Sequence, residues 1–268
     1  MTIYHSLPDG VVAFSTNRHG GVSQGKYASF NVNSYCGDDP DAVVANKALL
    51  AKELGVSTNC IVMPHQTHDT VIRQIHPSFF DGMETDQRDF LEGVDALMTD
   101  LCGVCIGVST ADCIPVLLYD AAHRAVSAIH AGWRGTVGRI VQKAVREMSR
   151  AFSTNPVDIY AIVGPSISLE NFEVGDEVYC EFLDKGFDME KIAKRFPASD
   201  WGENHAMKWH IDLWECNRLQ LLQAGVSPQR IQVAGICTYA NVQDYFSARK
   251  LGIKSGRIFT GILMNEKG

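Results

Sequence analysis

Two residues on neighbouring segments could share one small volume. Cys113 lies at the mouth of the apolar run Pro115–Tyr119, and His130 ends the run Ala125–His130. Both runs are short and bounded by turn residues, and Asp120–Arg124 between them reads as the turn of a hairpin. Closing that hairpin brings the thiol and the imidazole to the same end. Such a pair supports two chemistries. With a further imidazole it forms a preferred zinc ligand set, and catalytic zinc keeps three protein ligands, one open position and a bound water of pKa about 7. Without metal, Cys113 becomes a nucleophile activated by His130. Both uses require the thiolate, so the sequence leaves them side by side.

His68 is the candidate third ligand. His65, in the same motif His65-Gln66-Thr67-His68, competes with it and reads rather as a surface or supporting histidine. Spacing does not single out the trio, and the plainer alternative is a buried thiol with two hydrogen-bonded histidines. Asp112, beside Cys113, reads as a general base, as the carboxylate orienting a ligating histidine, or as a turn cap. The stretch HAGWRGT (His130–Thr136) leads into a helix, whose first N–H groups attract anions. Arg134 there offers a fork to phosphate or carboxylate oxygens, with Gly135 in the same turn, or else a structural salt bridge. Arg18, in a long Gly-rich loop, is a second anion-binding candidate or a solvated charge. Cys102 and Cys105 point to opposite faces of an apolar, strand-like run and read as ordinary buried thiols.

The elements that position these residues follow from periodicity and caps. Val11–Ser15 reads as a first strand, followed by a packed, functional loop carrying Tyr27, Phe30 and Tyr35. Asp39 and Pro40 mark the N-cap and first position of a helix that Gly55 closes. Ile61–Met63, Thr70–Ile75 and two segments within Asp95–Ser109 read as strands, and 76–92 as a mobile surface excursion. Val137, Ile140, Val141, Ala144, Val145, Met148 and Phe152 make the apolar stripe of one long helix. Asp158–Ile167 reads as a buried strand ending in Gly-Pro, and 176–185 as a weaker helix. Asp212 with Glu215 opens a helix ended by Gly225, and Ile231–Ile236 and Arg257–Leu263 finish the sheet. Adjacent strands outnumber helices, which predicts an α+β fold with mixed or antiparallel sheet.

A chain of 268 residues, 46% hydrophobic, buries a full core, and one domain spanning 1–268 is expected. The net charge of −7 and the lack of a Lys/Arg cluster argue against nucleic acid. No run of about 18 apolar residues occurs, which argues against a membrane span. The first residues lack the charged and apolar regions of a signal peptide, and eight cysteines then read as reduced thiols, so a cytoplasmic enzyme is expected. Nothing in the sequence sets the oligomeric state.

Several motifs together resemble one family: RHGGVSQGKYASFNV, HQTH, TADCIPVLL, HAGWRGT, GPSI, DLWECNRLQLLQAGV and CTYANVQDYFSARK, in order along nearly the whole chain. The family was once labelled multicopper polyphenol oxidase or laccase-like and is now treated as zinc-dependent purine nucleoside phosphorylases, also called peptidoglycan editing factors. The resemblance implies zinc held by His68, Cys113 and His130. It also implies a layered α/β/β/α sandwich similar to the catalytic domain of cytotoxic necrotizing factor. The implied activity is phosphorolysis of adenosine, inosine and methylthioadenosine, with adenosine deamination attributed to the family too. Asp69 stands where the family often has glycine, and Ser247-Ala248-Arg249-Lys250 replaces its Tyr-Arg-Arg. Copper stays open as the metal, although one His₂Cys site lacks the His-rich clusters of a multicopper relay. A metal-free cysteine hydrolase of a peptidoglycan precursor and a non-enzymatic metal- or ligand-binding regulator are the alternatives.

Overall fold

Asp39 begins the first helix by accepting the Asp41 backbone N–H, and Gly55 ends it in the left-handed region at φ 70°, where glycine carries no Cβ penalty. The computed structural model describes residues 2–198 and 207–265. Strands β1 (Thr2–His5) and β2 (Val11–Thr16) precede that helix, α1 (Pro40–Leu54). Then come β3 (Ile61–Val62), β4 (Ile72–Gln74), α2 (Glu84–Leu91), β5 (Ala96–Thr99) and β6 (Cys105–Thr110). The hairpin is β7 (Ile114–Asp120) and β8 (Ala125–Ala131), followed by α3 (Trp133–Val137), α4 (Ile140–Phe152) and β9 (Ile159–Val163). Beyond it lie β10 (Glu173–Val174), α5 (Asp176–Asp184), α6 (Met189–Ile192), β11 (Ala193–Pro197) and β12 (Met207–Ile211). The chain closes with α7 (Leu213–Gln223), β13 (Ile231–Val233), α8 (Ala248–Leu251) and β14 (Ile258–Met264).

Two mixed sheets carry the fold, in the orders β1-β2-β14-β6-β3 and β13-β9-β7-β8-β5-β4, with β10-β12-β11 as a small third. Alternation along the strands sorts the apolar side chains into layers. Phe14, Phe259 and Leu263 face outward onto Leu50 and Ala51 of α1. Ala13, Ile106 and Ile262 face inward and meet Leu117, Val126 and Ala128 of the second sheet. Val116, Leu118 and Ile129, one residue out of phase, face the other way onto α4 and α7 through Val141, Met148 and Leu221. The result is the expected α/β/β/α order, each sheet buried on both faces. No helix among the described residues is long and apolar enough to cross a membrane.

Three expectations need correction. Residues 76–92 are not an irregular excursion but a 3₁₀ turn over Pro77–Phe80 followed by α2, with Phe79 packed on Phe80 and Phe90. The stripe from Val137 to Phe152 is not one helix. It breaks at Gly138 and Arg139, the latter at φ 61°. Gly138 at the break is closely approached: a Cβ there would lie 2.6 Å from Thr70 Cγ2 and 3.2 Å from the Arg134 carbonyl oxygen. Of the cysteine pair, Cys105 is buried in β6, whereas Cys102 is exposed in the preceding turn and accepts from Arg124.

Candidate metal centre

Pairing of Pro115 with His130 in the β7–β8 ladder puts Cys113 and His130 at one end of the hairpin. The pairing of Ala96 with Ile129 then sets Asp95, just before β5, beside His130, whose backbone N–H donates to the Asp95 carbonyl. The side chains repeat the contact: His130 Nδ1 lies 2.7 Å from Asp95 Oδ1, both buried. With Nδ1 engaged by the carboxylate, Nε2 is the nitrogen left for a ligand.

Asp95 also builds the other half of the site. Its Oδ1 accepts the His68 backbone N–H at 3.0 Å, and its Oδ2 accepts those of Thr67 and Asp69 at 3.3 and 2.8 Å. Burial alone pushes this carboxyl up, but the His130 bond and charge with the loop N–H groups outweigh it and hold it below the usual range. The HQTH loop is pinned from its other side by Gln66, whose amide donates to the Ser109 carbonyl and accepts the Ser109 N–H. So held, His68 adopts φ 65°, uncommon for a non-glycine residue, and turns its ring to the hairpin end.

One ligand atom each from exposed His68, half-buried Cys113 and buried His130 lie within 4.8 Å of one another. Cys113 Sγ is 3.8 Å from His68 Nε2, close to the roughly 3.5 Å that tetrahedral zinc imposes between sulfur and nitrogen ligands. Gly132 makes the room: a Cβ there would stand 2.9 Å from His68 Cδ2 and 3.2 Å from Cys113 Sγ. Burial pushes the Cys113 thiol up, but the charge and hydrogen bond of His130, joined by His68, bring it down to about 6. Burial pushes His130 down, but the Cys113 charge and the Asp95 bond raise it to about 9. The donor types and their spacing fit a divalent metal: a thiol that readily loses its proton and two imidazoles, that of His130 oriented by Asp95 and yielding its Nε2 proton when a metal binds. No second cluster of this kind occurs among the described residues.

The trio opens onto a cavity of about 360 Å³, within the range of small-molecule sites. The long first loop supplies Asn33, Tyr35 and Cys36 to its wall, as its packed aromatics suggested. Asn46 of α1 fixes that loop by hydrogen bonds to Val22, Ser23, Ser29 and Asn31. His65 is at the wall too, stacked on Tyr35 at 4.2 Å and bonded through Nδ1 to Glu92.

Other nominated residues sit elsewhere. Both Asp112 oxygens are occupied, accepting from Thr238 Oγ1, Ser247 Oγ and the Arg249 N–H, and the carboxylate bonded to a site histidine is Asp95 instead. Arg18 is outside the cavity wall and ties its loop down by donating to the Ala28 and Val242 carbonyls. Arg134 is exposed and stacked over Trp133, and buried Gly135 packs on the Asp69 and His130 carbonyls; neither lines the cavity. Sequence reasoning missed Asp95 beside His130 and Arg257 on the cavity wall. The signals available were a carboxylate leading into the strand Ala96–Thr99 and an arginine opening the last apolar run.

A family model described as multi-copper polyphenol oxidoreductase laccase matches residues 12–265. The chain belongs to this family. It is 46% identical to a purine nucleoside phosphorylase of Bacteroides thetaiotaomicron, over 98% of this chain and 96% of that one. It is 44% identical to adenosine deaminase RL5 of an unknown prokaryotic organism, over 95% and 94% of the two chains. The crystal structure of the hypothetical protein YfiH of Bacillus licheniformis superposes with a TM-score of 0.85 at 29% identity, covering 95% of this chain and 92% of that one. The chain is an enzyme of this family, with the mixed-sheet fold of its solved relatives.

Proposed function

We propose that this enzyme is a zinc-dependent purine nucleoside phosphorylase, cleaving adenosine, inosine or methylthioadenosine with phosphate to free base and a ribose 1-phosphate. The observation that carries the reading is the His68, Cys113 and His130 cluster at the floor of a nucleoside-sized cavity, in a chain 46% identical to a protein of that name. In the reaction an oxygen of hydrogenphosphate attacks the anomeric carbon, the bond from that carbon to the purine nitrogen breaks, and the leaving base takes the electron pair and, in net, the proton that the phosphate gives up.

The chain's part is to hold and to exclude. Asp95 keeps His130 in the tautomer that offers Nε2 and fixes the backbone of the His68 loop. Gly132 leaves the ligand side chains uncrowded, and the loop Asn33–Cys36 closes the cavity wall above them. Zinc bound by the trio supplies a Lewis acid beside the substrate. Two imidazoles and a thiolate are preferred zinc ligands, and three protein ligands leave a fourth position open as in catalytic zinc sites. A single cluster among the described residues does not support a multicopper electron relay.

Metal content of wild type and Cys113→Ala, measured with an inosine-plus-phosphate assay, tests the reading. About one zinc per chain, lost in the variant together with phosphate-dependent hypoxanthine release, supports it. A metal-free, fully active wild type would revive Cys113 as nucleophile. A second reading, adenosine deamination at the same centre, is favoured by the 44% relative named for that activity. Ammonia release from adenosine without phosphate would support it.

A further inference from the structure

Among the described residues Arg257 is the only Lys or Arg on the cavity wall and no Asp or Glu lines it, although the chain carries 31 acidic against 24 basic residues. A wall that excludes carboxylates in an acidic protein is built to receive negative charge. The guanidinium is also rigidly placed. Nη1 donates to the Ser255 and Gly256 carbonyls at 2.6 and 3.0 Å, and more weakly to Ser255 Oγ, while Nη2 donates to the Ile253 carbonyl at 2.8 Å. Of its five N–H groups, Nε–H and one on Nη2 are left without a protein acceptor.

The neutral amides nearby are held by Ser109 and Tyr35 and carry no charge. Gln66 bonds Ser109 in both directions, and Asn33 donates to Ser109 Oγ and accepts the Tyr35 N–H. Thr110, also on the wall, has a buried Oγ1 with no hydrogen-bond partner. Arg257 thus brings unspent N–H groups on a preorganised cation to the wall, and Thr110 a buried hydroxyl without a partner.

From this we infer that Arg257 is the phosphate-binding residue of the cavity, gripping the anionic co-substrate while the neutral nucleoside occupies the remaining volume. The assignment rests on the phosphorolysis reading and displaces Arg134, Gly135 and Arg18 from that role. A guanidinium clamped along one edge loses little entropy on binding and presents a fork that matches phosphate oxygens.

Calorimetric titration of the zinc-loaded enzyme with inorganic phosphate tests it, paired with inosine turnover at varied phosphate. Arg257→Gln should weaken phosphate binding by about tenfold or more with zinc content unchanged, and Arg257→Lys should recover part of the loss. The wild type offers a check that needs no variant: phosphate should slow phenylglyoxal modification of Arg257 more than that of Arg134 or Arg18. Equal phosphate affinity in wild type and Arg257→Gln, absent binding to wild type, or equal protection of the three arginines overturns the assignment. Arg257-dependent phosphate binding with phosphate-independent base release would keep the anion site and discard the phosphorylase reading.

Discussion

Asp95 and His130 face each other across the β5–β8 pairing, and the 2.7 Å contact between their side chains repeats a 2.8 Å contact between their backbones. The same carboxylate collects three N–H groups of the loop that carries His68. One buried acid thereby sets two of the three ligands. Asp95→Asn should lower zinc affinity by about 10- to 100-fold, the usual consequence of losing a carboxylate behind a ligating histidine. Asp95→Ala, which strands His130 and three loop N–H groups, should cost about 3 kcal/mol or more. Metal titration and denaturant unfolding of the two variants separate the effects; an Asp95→Asn enzyme with unaltered zinc affinity would remove Asp95 from the site.

Gly132 bears on the centre through space alone. Its φ of −62° is open to any residue, so the 2.9 and 3.2 Å approaches to His68 and Cys113 decide what an alanine does there. Gly132→Ala should fold with a stability loss of about 1 kcal/mol or less, yet bind zinc more weakly and lose turnover in proportion. Excess zinc restoring activity would confirm that the ligand set has been displaced. An alanine variant that is fully active at limiting zinc would contradict the crowding.

Removal of the metal should expose chemistry at Cys113. On the zinc reading the thiolate is a ligand in the loaded enzyme, and alkylation by iodoacetamide at neutral pH should spare it while modifying exposed Cys102 and Cys180. After chelation, Cys113 should become the fastest-reacting cysteine, because His130 and His68 favour its thiolate and it is half open to the cavity. Peptide mapping reads the order directly. Slow Cys113 labelling in both forms would place the thiol out of reach.

Acid stability should carry a contribution from His5. Its Nε2 bonds Ser15 Oγ, and burial lowers its pKa from 6.5 to about 4. The unfolded chain therefore binds the proton first, so the contribution is fully present above pH 6.5 and is lost as pH falls towards about 4. For a partly exposed residue the span is about 1 to 2 kcal/mol. Urea midpoints across that window should fall less steeply in His5→Gln than in wild type. Parallel slopes would assign the acid sensitivity to other groups.

The sequence by itself determined whatever is local or carried in a short motif. Asp39, Pro40 and Gly55 bound α1 because caps act within a turn of the helix they close. The hairpin is legible because Pro115–Tyr119 and Ala125–His130 are apolar between turn residues, and the family's motifs mark His68, Cys113 and His130. Only the tertiary structure decided what stands around them. Asp95 is 35 positions from His130 and reaches it through a strand pairing that no local pattern encodes. Arg257 faces the cavity because β14 lies beside β6 in the first sheet, while the nearer arginine in sequence, Arg134, folds over Trp133. The closeness of Thr70, on another loop, to Gly138 is likewise a tertiary contact that no local pattern shows. Caps and alternation act over a few residues, whereas the partners of a buried charge and the lining of a cavity depend on which segments the sheets bring together.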